Sequence, residues 1–172
     1  IIPARFLKAT TREGFGGNLF YDWRMDAEGQ PRPNFVLNNP LYSGHILVAG
    51  KNFGSGSSRE HAAWALADYG FRVIVSAFFA DIFRQNALNN FVLPVTVSES
   101  FLWTLFHEIE KNPQLQVEVD LPNQAISITN VGVQCHFDVD PYKKHCLLTG
   151  QDDIEFLLSR KDKIERWESA HI

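Results

Sequence analysis

Between residues 45 and 97 the chain alternates short apolar runs with helical patterns. Residues 45–48 and 71–76 read as strands, 58–69 and 80–88 carry helical spacing, and 91–97 returns to a strand. This alternation leaves few ways to fold. A connection long enough to hold a helix joins strands that run parallel, and such crossovers are right-handed. A parallel βαβ core is therefore expected. Gly70 follows the first helical run in the C′ position, where a left-handed residue closes a helix. The Asn89-Asn90 pair closes the second. Pro94 removes a ladder donor from the third strand, which places that strand at an edge or a bend. Ligands of open parallel sheets bind beyond the carboxyl ends of the strands, and residues 49–60 occupy such a place.

Those residues are unusual. Gly54-Ser55-Gly56-Ser57-Ser58 opens directly onto a helical pattern whose first polar residues are Arg59, Glu60 and His61. Strand, glycine turn and helix N-terminus together make a pocket for an anion. The unpaired N–H groups of a first helical turn point outward, and the helix dipole favours negative charge there. Gly54 and Gly56 allow close approach to the main chain. Arg59 adds a guanidinium that grips a carboxylate through two parallel hydrogen bonds. The plainer reading is local: Ser57-Ser58-Arg59-Glu60 also matches a capping box, in which Ser57 and Glu60 only close the helix end.

Other motifs fail on spacing. A dinucleotide fingerprint would need glycine where Arg59 stands, no P-loop lysine follows, and a nucleophile elbow would need serine where Gly56 stands. A Ser57/His61/Asp68 triad puts its last two members nearly two turns apart on one helix, too far to orient each other.

The stretch Gly54-x-Gly56-Ser57-Ser58-Arg59-Glu60-His61-Ala62 resembles the signature of the aconitase-type swivelling domain. More closely, the chain is similar to the family of small subunits of bacterial 3-isopropylmalate dehydratases. Residues 1–7, Thr11-Arg12-x-Gly14-Phe15-Gly16, Leu19 to Arg24, Phe35 to Asn38, Tyr69 to Val73, Phe79 to Phe83 and Asn86-x-x-x-Asn90 carry the likeness. It is dense to about position 95 and looser beyond. The resemblance implies an α/β fold, a three-layer β/β/α swivelling domain with a parallel βαβ core and additional antiparallel strands. It implies one such domain over residues 1–172. Members usually carry a further N-terminal strand segment, so the natural chain is expected to begin upstream of Ile1.

The same resemblance implies a hydro-lyase subunit of leucine biosynthesis, active only with a partner. Water leaves one carbon of 2-isopropylmalate and returns at the neighbouring carbon, through 2-isopropylmaleate, to give 3-isopropylmalate. A 4Fe-4S cluster in the large subunit acts on the leaving hydroxyl, and this chain binds no metal. Ser57 matches the base that removes the proton. Ser58, Arg59, Gly54 and Gly56 match groups holding substrate carboxylates, as does Arg12 in a recognition loop whose Gly14, Phe15 and Gly16 bear on specificity. Phe15, Leu19 and Phe20 either line a slot for the isopropyl group or tie that loop to the core. Arg5 and Arg24 are further candidate contacts, with solvated arginines the default. Two other readings stay open: a related subunit acting on methylmalate/citraconate or homoaconitate, and a non-catalytic anion-binding module.

A serine base is demanding. Lowering a hydroxyl pKa by roughly six units takes about 8 kcal/mol. A helix terminus supplies about 0.3–2 kcal/mol and a neighbouring cation shifts a pKa by about 1–3 units. Aligned donors, an arginine and a closed dry site are all required, so little activity is expected from this chain alone.

The formal net charge of −4 opposes general nucleic-acid binding, which needs a basic face. The 45% hydrophobic and 21% charged residues suit a water-soluble globular chain, and no apolar run approaches the ~20 residues of a membrane span. Two cysteines, Cys135 and Cys146, are too few for a cubane cluster and are expected as free thiols in a reducing cytoplasm. The six histidines show no zinc spacing. Elsewhere, 3–8 reads as a short helix or turn, and 9–43 as a long, mostly irregular and therefore functional loop. Residues 99–111 read as an amphipathic helix. Residues 115–121, 125–130 and 133–137 read as antiparallel strands, and 141–148 and 152–167 as helices.

Overall fold

The computed structural model describes residues 1–56 and 58–171. The first forty residues hold only short turns: 3₁₀ segments at Ala4–Phe6, Phe15–Asn18 and Val36–Asn38, and one helical turn, α1 (Tyr21–Arg24). Then come β1 (Ile46–Val48), α2 (His61–Tyr69), β2 (Val73–Ser76), α3 (Asp81–Asn89), β3 (Leu93–Thr96) and α4 (Glu99–Lys111). A meander of β4 (Val117–Asp120), β5 (Ala125–Ile128) and β6 (Val133–His136) leads to α5 (Pro141–Thr149), α6 (Asp153–Ser159) and α7 (Lys161–His171).

Strands β1, β2 and β3 pair in parallel in that order, with Leu47 opposite Ile74 and Ile74 opposite Pro94. Crossovers of one hand, stepping one way along the sheet, put α2 and α3 on the same face. Ile74 faces them in a core with Ala65, Leu66, Phe71, Phe83 and Ala87, closed by Phe15 and Leu19 of the N-terminal segment. The other face presents Val75, Leu93 and Val95 to α4 and to Ile126 and Ile128 of the antiparallel sheet. That sheet runs β4-β5-β6, with Ile126 between Val119 and Cys135. The layers are helix, parallel sheet, then antiparallel sheet with α4: a mixed α/β architecture of β/β/α type.

The chain ends of these elements follow local chemistry. Gly70 takes φ 111°, its N–H bonds the Ala67 carbonyl and that of Phe71 bonds the Leu66 carbonyl, closing α2 as a Schellman motif. Leu93 and Val97 donate to Arg72 and Ser76 carbonyls, so alternate residues face β2. Pro94 turns its missing donor outward on an edge strand, where nothing is lost. Ser98 caps α4 through Phe101 N–H, Asp140 caps α5 ahead of Pro141, and Asp152 with Glu155 forms a capping box on α6.

Two expectations are corrected. The helix read over 152–167 is two helices broken at Arg160, where the Ser159 hydroxyl bonds back to the Phe156 carbonyl at 2.6 Å and competes with the ladder. The helix expected from Ser58 starts at His61 instead. The Ser58 carbonyl accepts from Asn86 Nδ2 at 3.3 Å, and the first helical bonds run from Ala63 and Trp64 N–H to the Glu60 carbonyl. Glu60 is thus the N-cap residue and its side chain makes no capping bond there; the capping-box pairing with Ser57 lies outside the described residues.

Candidate active site

Residues 49–56 lie at the carboxyl end of β1, and several elements tie them down. The Ser76 hydroxyl, buried at the end of β2, lies 2.9 Å from the Gly50 carbonyl and 3.0 Å from that of Phe78. Phe53 bridges to the strand-like stretch after β2: its N–H bonds the Phe78 carbonyl and its own carbonyl accepts from Ala80. Lys51 reaches across to Glu99 at 2.7 Å, an ion pair that holds the Glu99 carboxyl below the usual range through hydrogen bond and charge.

Gly54 has φ 86°, and the Phe83 ring sits against it so closely that a Cβ would lie 2.2 Å from Cγ. Phe83 is itself wedged by the rings of Phe53 and Phe79, at centroid distances of 5.2 and 6.2 Å. Two independent reasons, the left-handed backbone and the aromatic contact, therefore demand glycine here. Gly56 has open space around it. Gly56, Ser58, Arg59 and Glu60 are exposed. Ser57, the expected base, lies outside the described residues.

The second wall of the site is the N-terminal loop. His61 Nε2 lies 3.0 Å from the Ala9 carbonyl, and the imidazole packs beside Phe15 and Trp64 at 5.6 and 4.6 Å. Asp68 of α2 accepts the Gly16 N–H at 2.7 Å. Gly16 presses on α2 so tightly that a Cβ would meet Tyr69 N at 2.6 Å. Arg24, only 6% exposed, donates to the Gly17 carbonyl at 2.5 Å and lies over the Tyr69 ring. Phe15 is 4% exposed, and Leu19 is buried with it. Gly14 holds φ 69° at the exposed turn before Phe15. Of the residues read as a recognition loop, Phe15 and Gly16 point into the core and Arg12 and Gly14 stay exposed. Arg5 pairs with Asp22.

Thr10, Thr11, Arg12 and Glu13 face Glu60, Trp64, Asn89 and Asn90 across a groove of about 530 Å³. The fold thus brings Arg12 to the same end of α2 as Ser58 and Arg59. His61 and Asp68 turn to different parts of the N-terminal loop, consistent with rejecting a triad. The sequence reading misses Ser76, Phe83 and Asn86 as supports of the loop. Asn86 and Phe83 carry only the family likeness of their stretches, and Ser76 carries no signal, since it acts on a residue far away in the chain.

Among the described residues, no group of three or more His, Cys, Asp or Glu side chains could hold a metal ion. Cys135 on β6 and Cys146 on α5 are free thiols. This donor set does not fit a four-iron cluster, which takes three or four thiolates. No helix among the described residues is long and apolar enough to cross a membrane.

Comparison with known proteins bears on this surface. The family model of the aconitase C-terminal domain matches residues 1–100, and that described as LeuD_N matches residues 104–141. The chain is 62% identical over 170 residues to a protein of Cytophaga hutchinsonii named 3-isopropylmalate dehydratase small subunit, covering 99% of this chain and 85% of that one. A protein of the same name from Karelsulcia muelleri is 51% identical, over 100% of this chain and 87% of its own length. The crystal structure of a 3-isopropylmalate dehydratase (leuD) from Methanocaldococcus jannaschii superposes with a TM-score of 0.66 at 25% identity, over 96% of this chain and 88% of that one.

Proposed function

Because the chain belongs to the family of 3-isopropylmalate dehydratase small subunits, we propose that it serves as the small subunit of that hydro-lyase. It joins a large subunit to interconvert 2-isopropylmalate and 3-isopropylmalate through 2-isopropylmaleate. The observation that carries this reading is identity above one half to relatives so named, over nearly the whole chain. Residues 1–172 form one swivelling domain on this reading, since the two cores share the parallel sheet between them. The cytoplasm is its proposed compartment.

The chain's own part is proton transfer and the holding of carboxylates. Ser57 takes the proton from the carbon beside the one that loses its hydroxyl, and returns it on rehydration. Main-chain groups at Gly54, Gly56 and Ser58 and the guanidinium of Arg59 bind one carboxylate. Arg12, across the groove, binds or screens the other. Gly14, Phe15 and Gly16 shape the loop that selects the alkyl group. Support comes from the left-handed backbone at Gly54 and from the two arginines at one end of α2. Ser58, Arg59 and Arg12 are exposed, so a dry site needs a second surface to cover them. The cluster that activates the leaving hydroxyl is assigned to the large subunit, and no step is routed through a metal on this chain.

Anaerobic hydration of 2-isopropylmaleate, followed by loss of its ultraviolet absorbance, tests the reading. Activity is expected only when this chain is mixed with a cluster-loaded large subunit. No activity from an intact, loaded complex would refute the substrate assignment. Ser57→Ala is expected to abolish turnover while ligand and partner binding persist; a variant with unaltered turnover would leave only an anion-binding role.

A further inference from the structure

We infer that His61 is a positioning residue: from the first turn of α2 it fixes the loop that carries Arg12, and so sets how substrate is held. The inference rests on the functional reading above and adds to it a residue that touches no substrate. The loop is pinned at both ends, with a turn between them closed by the Phe15 N–H on the Arg12 carbonyl at 3.2 Å. At one end His61 Nε2 meets the Ala9 carbonyl at 3.0 Å; at the other Asp68 and Arg24 hold the Gly16 N–H and the Gly17 carbonyl. Residues 11–14 between the pins are exposed, and Thr10 to Glu13 line the groove shared with Glu60 and Trp64. Arg12 takes its place from the turn and the two anchors; upstream, Ala9 also donates to the Phe6 carbonyl and packs on the core, and the His61 bond is what ties it to α2.

The chemistry of the ring supports that role. A carbonyl can only accept, so Nε2 must carry the proton and donate it. His61 Nδ1 is buried and has no partner among the described residues. Of the two tautomers, the carbonyl partner selects the one with its proton on Nε2. Phe15 and Trp64 pack edge-on and tilted against the imidazole and prevent it from flipping away. A residue needed only to fill space would be as well served by an apolar ring. Here the polar contact to Ala9 spans 52 positions of sequence and joins the arginine loop to the helix behind the serine loop.

The test uses the complete two-subunit enzyme with His61→Phe and His61→Gln. Phenylalanine keeps the ring packing and removes the donor; glutamine places an N–H near the position of Nε2. For H61F the KM for 2-isopropylmaleate is expected to rise about tenfold, or about 1.4 kcal/mol, with kcat changed less than about threefold; H61Q is expected to restore most of the KM. Amide hydrogen exchange of residues 9–14 is expected to quicken in H61F and not in H61Q. Unaltered KM and exchange in H61F, or an H61Q as impaired as H61F, would overturn the inference. If the unmutated complex fails to hydrate 2-isopropylmaleate, the functional reading falls, and the exchange measurement still decides whether His61 anchors the loop.

Discussion

Replacing Gly54 by alanine tests the structural logic of the serine loop most directly. The new methyl carbon would lie 2.2, 2.3 and 2.7 Å from Phe83 Cγ, Cβ and Cδ1, inside any tolerable contact. It would also sit on a backbone with φ 86°, where a Cβ costs about 1–2 kcal/mol. Phe83 is 1% exposed and boxed in by Phe53 and Phe79, so it has no free volume into which to swing. Overpacking of this kind costs about 1–3 kcal/mol, giving a sum of about 2–5 kcal/mol. For a chain of this size that lowers Tm by roughly 4–20 °C. Urea unfolding of the subunit, monitored by far-ultraviolet circular dichroism, measures it. A double-mutant cycle with Phe83→Ala separates the two causes: in that background Gly54→Ala should cost only the backbone strain, about 1–2 kcal/mol. A Gly54→Ala variant destabilised by less than about 1 kcal/mol, or one whose cost is unchanged by Phe83→Ala, would refute the reasoning.

Gly16→Ala should detach the N-terminal loop, since its methyl would meet backbone atoms of Asp68 and Tyr69 at 2.6–2.9 Å; a loss of about 1–3 kcal/mol and faster amide exchange over residues 10–17 are expected, and unchanged exchange would count against it. Asp153 is held below the usual carboxyl range by Lys143 at 2.6 Å and then by the Tyr142 hydroxyl at 2.7 Å. A carboxyl lowered on folding stabilises above its unfolded pKa, about 3.9, and that contribution disappears as pH falls through the lower folded value. With 55% of the Asp153 side chain exposed, screening keeps the effect within about 0–1 kcal/mol. Calorimetry below pH ~4 should show a flatter acid limb for Asp153→Asn than for the unaltered chain; identical limbs would exclude the pair as a contributor.

Features that depend on near neighbours along the chain are legible in the residues alone. The Glu99–Lys111 helix follows from its apolar spacing and the Ser98 cap. The Schellman ending at Gly70 and the edge placement of Pro94 follow from what glycine permits and proline lacks. The serine loop falls after β1 because strand, glycines and helix follow one another directly. The start of α2 is not legible in this way because its controlling contact is remote: Asn86 engages the Ser58 carbonyl, so the helix waits for His61. The break at Arg160 is hidden because the charged, helix-favouring residues on either side continue the same pattern.

The sequence by itself determined the alternation of elements, the parallel core and the place and composition of the serine loop, because propensity, caps and glycine conformations act within a few residues. Only the tertiary structure decided that Phe83 locks Gly54, that Phe15 and Gly16 clamp the N-terminal loop to α2, and that Arg12 arrives beside Glu60. Those contacts join residues tens of positions apart. They are selected by packing and by the need to satisfy buried polar groups, which act on distances in space and leave no period in the chain.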